Sequence, residues 1–221
     1  MTPVAPAPMP VLLVHGMGRT PLSLHRLARH LRRSGYDAHV TGYVASVEPF
    51  ARIVQRIRER VAGLGEHGQR YVVIGHSLGG LLLRAALAKL SAGALPSHLI
   101  MMGTPHRPPR LAVRCQALWP YRLINGECGQ ILAQPGFFDQ LPAPAIPYTI
   151  IAGSRGWMGW GSPFRSEPND GLVAVSETRV CANDVPLVLP VRHTFMMNDS
   201  GVREVIRKVL EGVGDAAMAV D

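Results

Sequence analysis

The stretch YVVIGHSLGG, residues 71–80, decides how this chain folds. Tyr71–Ile74 is a continuous apolar run that predicts a buried strand, and Leu78–Leu90 is apolar nearly all round, which predicts a buried helix. The glycines two residues either side of Ser77 leave room for the helix to lie close against the strand. The sequence therefore predicts a sharp strand-to-helix turn that presents the Ser77 hydroxyl beside the positive N-terminal end of a helix.

Predicted strands and helices alternate on both sides of this turn, which is typical of a mostly parallel sheet with helices on both faces. The last strand is predicted at the sheet edge because its two prolines cannot donate ladder hydrogen bonds. The predicted strands are Val11–Val14, Tyr36–Tyr43, Tyr71–Ile74, Leu99–Met102, Tyr148–Ala152 and Val185–Val191. The predicted helices are Pro21–Ser34, with Leu22, Leu24, Leu27 and Leu31 towards the core, Glu48–Leu64, Leu78–Leu90 and Val202–Leu210.

The 221 residues suffice for one sizeable domain, which we place at residues 11–221. Residues 1–10 are predicted to be a disordered lead-in. Because they have neither the basic nor the apolar region of a signal peptide, we expect a cytoplasmic protein, with a secreted protein as the alternative if a signal peptide has already been removed. Residues 106–147 are rich in proline and lack a long periodic stretch, so they are predicted to be an irregular insertion or flap. No large cap domain is expected.

The net charge of +8 raises the possibility of nucleic-acid binding. Many of the arginines lie on the two predicted helices before residue 65, and no aromatic residues alternate with them. This distribution favours solvated helix faces over a nucleic-acid site, although a basic surface can also draw a protein to anionic lipid interfaces. The three cysteines have no zinc-site spacing, and a disulfide between Cys115 and Cys128 stays open.

Several segments of the chain resemble those of α/β-hydrolases, and within them the small bacterial lipases and esterases. The resemblance spans about Val11 to Leu210 and implies an α/β-hydrolase fold, with a mostly parallel sheet flanked by helices on both faces. The segments are His15-Gly16-Met17-Gly18, the Gly75–Gly80 turn, Gly103-Thr104-Pro105-His106, Asn169-Asp170-Gly171-Leu172-Val173 and the late His193.

The resemblance also implies a catalytic triad. A serine hydroxyl needs a general base, and in this fold the base follows the last strand, where His193 lies. The acid that orients it is Asp170, by likeness to the Asp-Gly-Leu-Val segment of small lipases, although an Asx-turn is a simpler role for this side chain. The oxyanion donors are the N–H of Leu78, directly after the nucleophile, and by resemblance the N–H of Met17. Alternatives that stay open are His106 or His15 as base and Asp139 as acid.

The expected function is a serine carboxylic-ester hydrolase that acts on short- to medium-chain esters of small molecules or lipids. This chemistry needs neither a metal nor a cofactor. The alternatives are a thioesterase, amidase or acyltransferase on the same fold, or a non-catalytic binding protein. Aromatic residues of the later loops are candidates for an acyl groove: Trp119, Phe137, Phe138, Trp157, Trp160 and Phe164.

Overall fold

Six parallel strands form one sheet in this computed structural model, which describes residues 7–66 and 68–218, with side chains as far as residue 215. The strand order is β2-β1-β3-β4-β5-β6, and every neighbouring pair is parallel. The predicted lead-in lies mostly on residues 1–6, outside the described residues, and Pro10 already belongs to β1. The strands are β1 (Pro10–Val14), β2 (Asp37–Thr41), β3 (Val72–His76), β4 (His98–Met102), β5 (Tyr148–Gly153) and β6 (Leu187–Leu189).

Helices connect these strands and cover both faces of the sheet, as the sequence predicts. Four short 3₁₀ helices add to them, at Pro21–Leu24, Ala92–Ala94, Val175–Thr178 and His193–Asn198. The α-helices are α1 (His25–Arg33), α2 (Phe50–Gly65), α3 (Leu78–Leu87), α4 (Arg110–Cys115), α5 (Trp119–Leu132), α6 (Pro135–Asp139) and α7 (Ser200–Met218). Among the described residues, none of these helices is both long and apolar enough to cross a membrane.

The core has two layers because the central strands are buried on both faces. All five positions of β1 and of β3 are buried. One layer packs α1 and α7 on the sheet through side chains such as Leu27 and Ile206. The other layer packs α2 and α3 on the opposite face, and every residue of α3 is buried. Two-sided burial explains why β1, β3 and β4 are continuous apolar runs rather than alternating ones.

Two details of the first and last elements differ from the prediction. Leu22 is 79% exposed, although it was expected to face the core. The chain enters this region through the 3₁₀ turn Pro21–Leu24, whose tighter winding rotates Leu22 away from the buried stripe of Leu24, Leu27 and Leu31. The final strand lies at the sheet edge, as expected, but it is confined to the three residues between Pro186 and Pro190.

The prediction of an irregular segment at 106–147 is wrong, because this region contains the helices α4, α5 and α6. The prediction rested on the high proline content and on the lack of a long periodic stretch. The prolines instead lie at helix starts: Pro109 caps α4, and Pro120 and Pro135 lie in the first turns of α5 and α6. A missing N–H costs nothing there, because first-turn N–H groups have no partner within the helix. Gly126 (φ 54°, ψ −150°) kinks α5 in its middle. Within the described residues no large cap domain is present.

Candidate active site

Ser77 lies at the carboxyl edge of the sheet, in the turn between β3 and α3, with φ 52° and ψ −124°. This left-handed conformation is strained for a residue with a side chain, and the surrounding structure enforces it. The Ser77 N–H donates to the Met102 carbonyl at 2.8 Å, which extends the β3–β4 pairing into the turn. The expected role of the flanking glycines is confirmed: a Cβ on Gly75 would collide with the backbone of Gly80, and one on Gly79 with the Val14 carbonyl.

The loop after β1, residues 15–18, lies directly against this turn. A Cβ on Gly16 would be only 3.0 Å from the Ser77 Cβ, so this glycine permits the close approach. His15 holds the loop in place through Tyr43. The His15 ring stacks on the Tyr43 ring at a centroid distance of 4.2 Å, and the His15 carbonyl accepts from the Tyr43 hydroxyl at 2.6 Å. Burial lowers the pKa of His15, which keeps its ring neutral. Met17, the next residue but one, lines the same cleft as Ser77.

Asp170 and His193 form a buried pair. Asp170 Oδ2 lies 2.6 Å from His193 Nδ1. The other carboxylate oxygen, Oδ1, accepts from the backbone N–H groups of Leu172 (2.9 Å) and Val173 (2.8 Å). The His193 N–H donates to the Asp170 carbonyl at 3.0 Å. Asp170 therefore forms the Asx-turn of the simpler interpretation and at the same time holds the imidazole, one oxygen serving each purpose.

Two glycines at strand ends make room for this pair, and the motif analysis did not assign either of them a role. Gly103 follows β4 with φ 56°, and a Cβ there would lie 3.0 Å from His193 Nδ1 and 3.1 Å from Asp170 Oδ2. Gly153 ends β5, and a Cβ there would lie 2.7 Å from the Asp170 Cβ. A glycine at the carboxyl end of a central strand was the available signal, because the residues that follow such strands line the site in open α/β sheets.

His76, the residue before Ser77, contacts His193 rather than the Ser77 hydroxyl. Its Nε2 lies 3.1 Å from the His193 carbonyl oxygen, and the two rings are 4.8 Å apart. Burial, with a smaller contribution from His193, holds the pKa of His76 well below its usual range. His76 is therefore neutral and donates its Nε2 proton to the His193 carbonyl. This bond helps to fix the backbone of His193.

A cleft of about 330 Å³ brings the nucleophile turn, the β1 loop and the imidazole together. Ser77, His193 and Met17 all line it, and most of the remaining lining is apolar. Among the described residues, no hydrogen bond joins the Ser77 hydroxyl to the His193 ring. Such bonds often tighten only when substrate binds. The Leu78 N–H, first in α3, has no partner within the helix and belongs to the residue directly after Ser77.

A protein-family model for the alpha/beta hydrolase family matches residues 11–218, which is nearly the whole chain. The chain belongs to the α/β-hydrolase family. No curated protein sequence matches it.

Solved structures of lipolytic enzymes share the fold of this α/β-hydrolase at low sequence identity. The mature form of the lipase BlEst2 from Bacillus licheniformis is 20% identical, with 93% of each chain covered and a TM-score of 0.73. A structure from work on LipS and LipT, two metagenome-derived lipolytic enzymes, is 16% identical, covers 95% of this chain and 94% of that one, and has a TM-score of 0.68. A structure from work on carboxylesterases of Nitrososphaera gargenis is 12% identical, covers 95% of this chain and 92% of that one, and has a TM-score of 0.63.

The other candidate acids and bases of this α/β-hydrolase lie elsewhere. His106 is buried, its Nδ1 lies 3.1 Å from Arg84, and it does not line the cleft. Asp139 is exposed at the end of α6. Glu177 accepts from the backbone and side chain of Arg110, both at 2.9 Å, which fastens the start of α4 to the loop that carries Asp170. Among the described residues, no group of three or more His, Cys, Asp or Glu side chains is arranged to hold a metal ion.

The expected aromatic acyl groove is not what the structure shows, because none of the six candidate aromatics lines the cleft of the described residues. Phe137 and Phe138 pack on the core, and Phe164 is buried beneath Arg110. The three tryptophans are exposed: Trp119, Trp157 and Trp160. The lining comes from the helical segment and two loops instead: Pro105, Pro109, Leu111, Ala112, Cys115, Tyr121, Asn125, Leu132, Leu172 and Val173. All three cysteines are free thiols.

Proposed function

We propose that this α/β-hydrolase is a serine carboxylic-ester hydrolase, an esterase or lipase for short- to medium-chain esters. One observation carries the proposal. An imidazole held by a buried carboxylate at 2.6 Å lines the same apolar cleft as a serine in a strained strand-to-helix turn. A pair of this kind serves to activate a hydroxyl for attack on an acyl carbon.

In the proposed reaction the Ser77 oxygen attacks the ester carbonyl while His193 Nε2 takes the hydroxyl proton. The Leu78 and Met17 N–H groups would donate to the oxyanion; losing one such donor typically costs about 3 kcal/mol of transition-state stabilisation. His193 then gives its proton to the leaving alcohol, which leaves an acyl group on Ser77. A water molecule, deprotonated by His193, attacks this acyl-enzyme and releases the carboxylic acid.

Asp170 would keep His193 in the tautomer that carries its proton on Nδ1, so that Nε2 is free to accept the serine proton. The Asp170 carboxylate is suited to this role because its other oxygen is already fixed by two backbone N–H groups. The carboxylate can therefore turn neither away from the imidazole nor towards solvent. The cleft wall contributed by α4 and α5 is apolar and would receive the acyl chain of the substrate.

A matched substrate series tests the assignment and separates it from its alternatives. Initial rates are measured with the p-nitrophenyl ester, the thioester and the anilide of butyric acid, on the wild type and on Ser77→Ala. We expect the ester to be hydrolysed with the largest kcat/KM and Ser77→Ala to lose at least about 10⁴-fold of it. Preferential turnover of the thioester or the anilide would assign the chain to one of the alternative reactions. No turnover of any of the three would favour the non-catalytic alternative.

A further inference from the structure

Two segments beside the cleft expose an unusual number of large apolar side chains. We call residues 107–126 and 154–166 the rim segments. All three tryptophans of the chain lie in them, and Trp160 is 97% exposed. Of the sixteen large hydrophobic side chains that the described residues expose, eight are in these 33 residues: Val113, Leu118, Trp119, Leu123, Ile124, Trp157, Met158 and Trp160. Such a concentration in two segments that contact each other, where Arg110 lies over the Phe164 ring, indicates a binding face rather than scattered exposure.

The rim segments are also purely cationic. They contain six arginines and no aspartate or glutamate. Arg110 turns inward to Glu167 and Glu177. The other five are exposed and form no ion pair among the described residues: Arg107, Arg114, Arg122, Arg155 and Arg165. On α7, by contrast, Arg207 and Lys208 pair with Glu204 and Glu211, which is the ordinary mixed charge of a solvated helix.

The two rim segments follow the carboxyl ends of the neighbouring strands β4 and β5, and only the first of them lines the cleft of the described residues. The first follows β4, and its Tyr121 and Asn125 line the cleft. The second follows β5, and the Trp157 carbonyl accepts from Asn169 Nδ2 at 3.2 Å, one residue before Asp170. Trp119 therefore lies two residues from the cleft-lining Tyr121, and Trp157 is bonded to the residue before Asp170.

We propose that the rim segments are a docking surface for an anionic phospholipid bilayer. Tryptophan favours the boundary between headgroups and acyl chains, because its ring is apolar and its N–H is polar. Arginine binds phosphate and anionic headgroups, and each basic residue near such a surface adds roughly fivefold to the affinity. In this arrangement the mouth of the cleft faces the lipid. The same arginines are compatible with nucleic acid, but bare leucine, isoleucine and methionine side chains match hydrocarbon rather than bases.

The test measures binding without turnover, so it does not depend on the proposed hydrolysis. Ser77→Ala protein is mixed with vesicles of phosphatidylcholine alone or of phosphatidylcholine and phosphatidylglycerol at 3:1, at about 50 mM and 500 mM NaCl, and bound protein is sedimented. We expect binding to the anionic vesicles only, weakened at least about tenfold by the higher salt. Tryptophan emission should shift to shorter wavelength on binding, since all three tryptophans lie in the rim segments.

Matched variants locate the surface. Arg114→Gln with Arg122→Gln should weaken vesicle binding at least about tenfold, whereas Arg29→Gln with Arg33→Gln, the same loss of charge on exposed positions of α1, should not. Trp160→Ala should weaken binding, and Leu22→Ala, which removes another largely exposed apolar side chain outside the rim segments, should not. The same four variants are also made in protein that keeps Ser77. Their hydrolysis of a soluble ester should stay at the wild-type level.

Three results would overturn the proposal. The first is no binding to anionic vesicles, or equal binding to neutral ones. The second is an equal loss of vesicle binding in the α1 variant (Arg29→Gln with Arg33→Gln) and the rim variant (Arg114→Gln with Arg122→Gln). The attraction would then come from net charge alone. The third is a DNA duplex that displaces the protein from vesicles at equal phosphate concentration. Loss of ester hydrolysis with vesicle binding retained would count against the proposed hydrolase activity and leave the docking surface intact.

Discussion

The turn at Ser77 and the helical segment that spans α4 to α6 border the same cleft but are built on different principles. The turn is enclosed: every residue of α3 is buried, and a Cβ on Gly75 or Gly79 would collide with backbone atoms. The first half of α5 is open, with Trp119 74% exposed and Leu123 70% exposed. Packing therefore fixes the groups assigned to the chemistry, whereas the outer side of the helical segment is a surface that tolerates change.

The two regions also differ in how they are attached. The turn is part of the sheet, whereas the helical segment is fastened at three points. Arg110 binds Glu177 at its start, Gly126 lies against the Ser46 carbonyl at its kink, and Arg84 donates to the Leu141 and Pro142 carbonyls at its end. Changes in the turn should lower activity on every substrate, and changes in the helical segment should alter the choice of substrate. Four predictions probe this difference.

The largest effect on activity is expected at Asp170, whose carboxylate holds the His193 ring. Asp170→Asn should lower kcat/KM by about 10⁴-fold for all esters alike, because the amide no longer stabilises the correct tautomer of His193. Steady-state kinetics on acetyl and octanoyl esters measure this. The matched control is Asp139→Asn at the exposed end of α6, which should keep full activity. If Asp139→Asn were inactive and Asp170→Asn active, the acid would be misassigned.

The next effect concerns the closeness of the turn to β1. Gly79→Ala would place a Cβ against the Val14 and His15 carbonyl oxygens, and backbone cannot give way there. We expect the free energy of unfolding to fall by about 3 kcal/mol or the protein to become insoluble. Gly63→Ala is the control, because its Cβ would meet open space on α2 and should stabilise by roughly 0.5–1 kcal/mol. Equal stability of the two variants in urea unfolding would show that the turn is not tightly packed.

A smaller effect is expected where the helical segment leaves the sheet. Burial, and to a lesser extent the Arg84 guanidinium, lowers the pKa of His106 to about 3. The folded protein keeps this ring neutral, whereas the unfolded chain binds a proton below about pH 6.5, so stability falls as the pH drops from 6.5 towards 3. Between pH 6.5 and 5 this one group costs about 2 kcal/mol.

His106→Gln removes that titration while keeping a side-chain acceptor for Arg84. Thermal unfolding at pH 7 and pH 5 should therefore show a smaller loss of Tm in His106→Gln than in the wild type. Because each protein is compared with itself at two pH values, any effect of the substitution on Tm that does not depend on pH cancels. An identical loss of Tm in both proteins would mean that His106 is protonated in the folded state or exposed to solvent.

The smallest effect is expected on the cleft wall. Ala112 of α4 lines the cleft, and its neighbour Val113 is exposed. Ala112→Phe should fill space that the acyl chain needs and lower the ratio of kcat/KM for octanoyl over acetyl ester by about tenfold, as a few methylene groups in an apolar pocket decide such ratios. Val113→Phe adds the same ring outside the cleft and should leave the ratio unchanged. A shift with Val113→Phe alone would place the acyl chain elsewhere.

The turn could be predicted from sequence because all of its constraints are local. Gly75, Ser77 and Gly79 lie within five residues between an apolar strand and an apolar helix, and no distant partner is needed to interpret them. The parallel sheet was predictable for the same reason, since buried strands and amphipathic helices alternate with clear periods. The edge position of β6 followed from Pro186 and Pro190.

The helical segment was not predictable because its order depends on distant residues. The bonds from Arg84 to the Leu141 and Pro142 carbonyls span nearly sixty positions, and the Arg110–Glu177 pair spans 67. The short helices α4 and α6 are too brief for a periodic signal, and the high proline content of the segment favoured an irregular structure. The aromatics were assigned to the cleft for their chemistry alone, and only packing shows that Leu111, Ala112 and Leu132 occupy its wall.

The central claim is that the Ser77 oxygen is an activated nucleophile. The most direct test is reaction of the folded protein with a fluorophosphonate probe, followed by peptide mapping by mass spectrometry. We predict one adduct per chain, on the peptide that contains Ser77, abolished by Ser77→Ala and strongly slowed by Asp170→Asn. An unlabelled Ser77, or an adduct on another residue in a protein that still hydrolyses esters, would contradict the account.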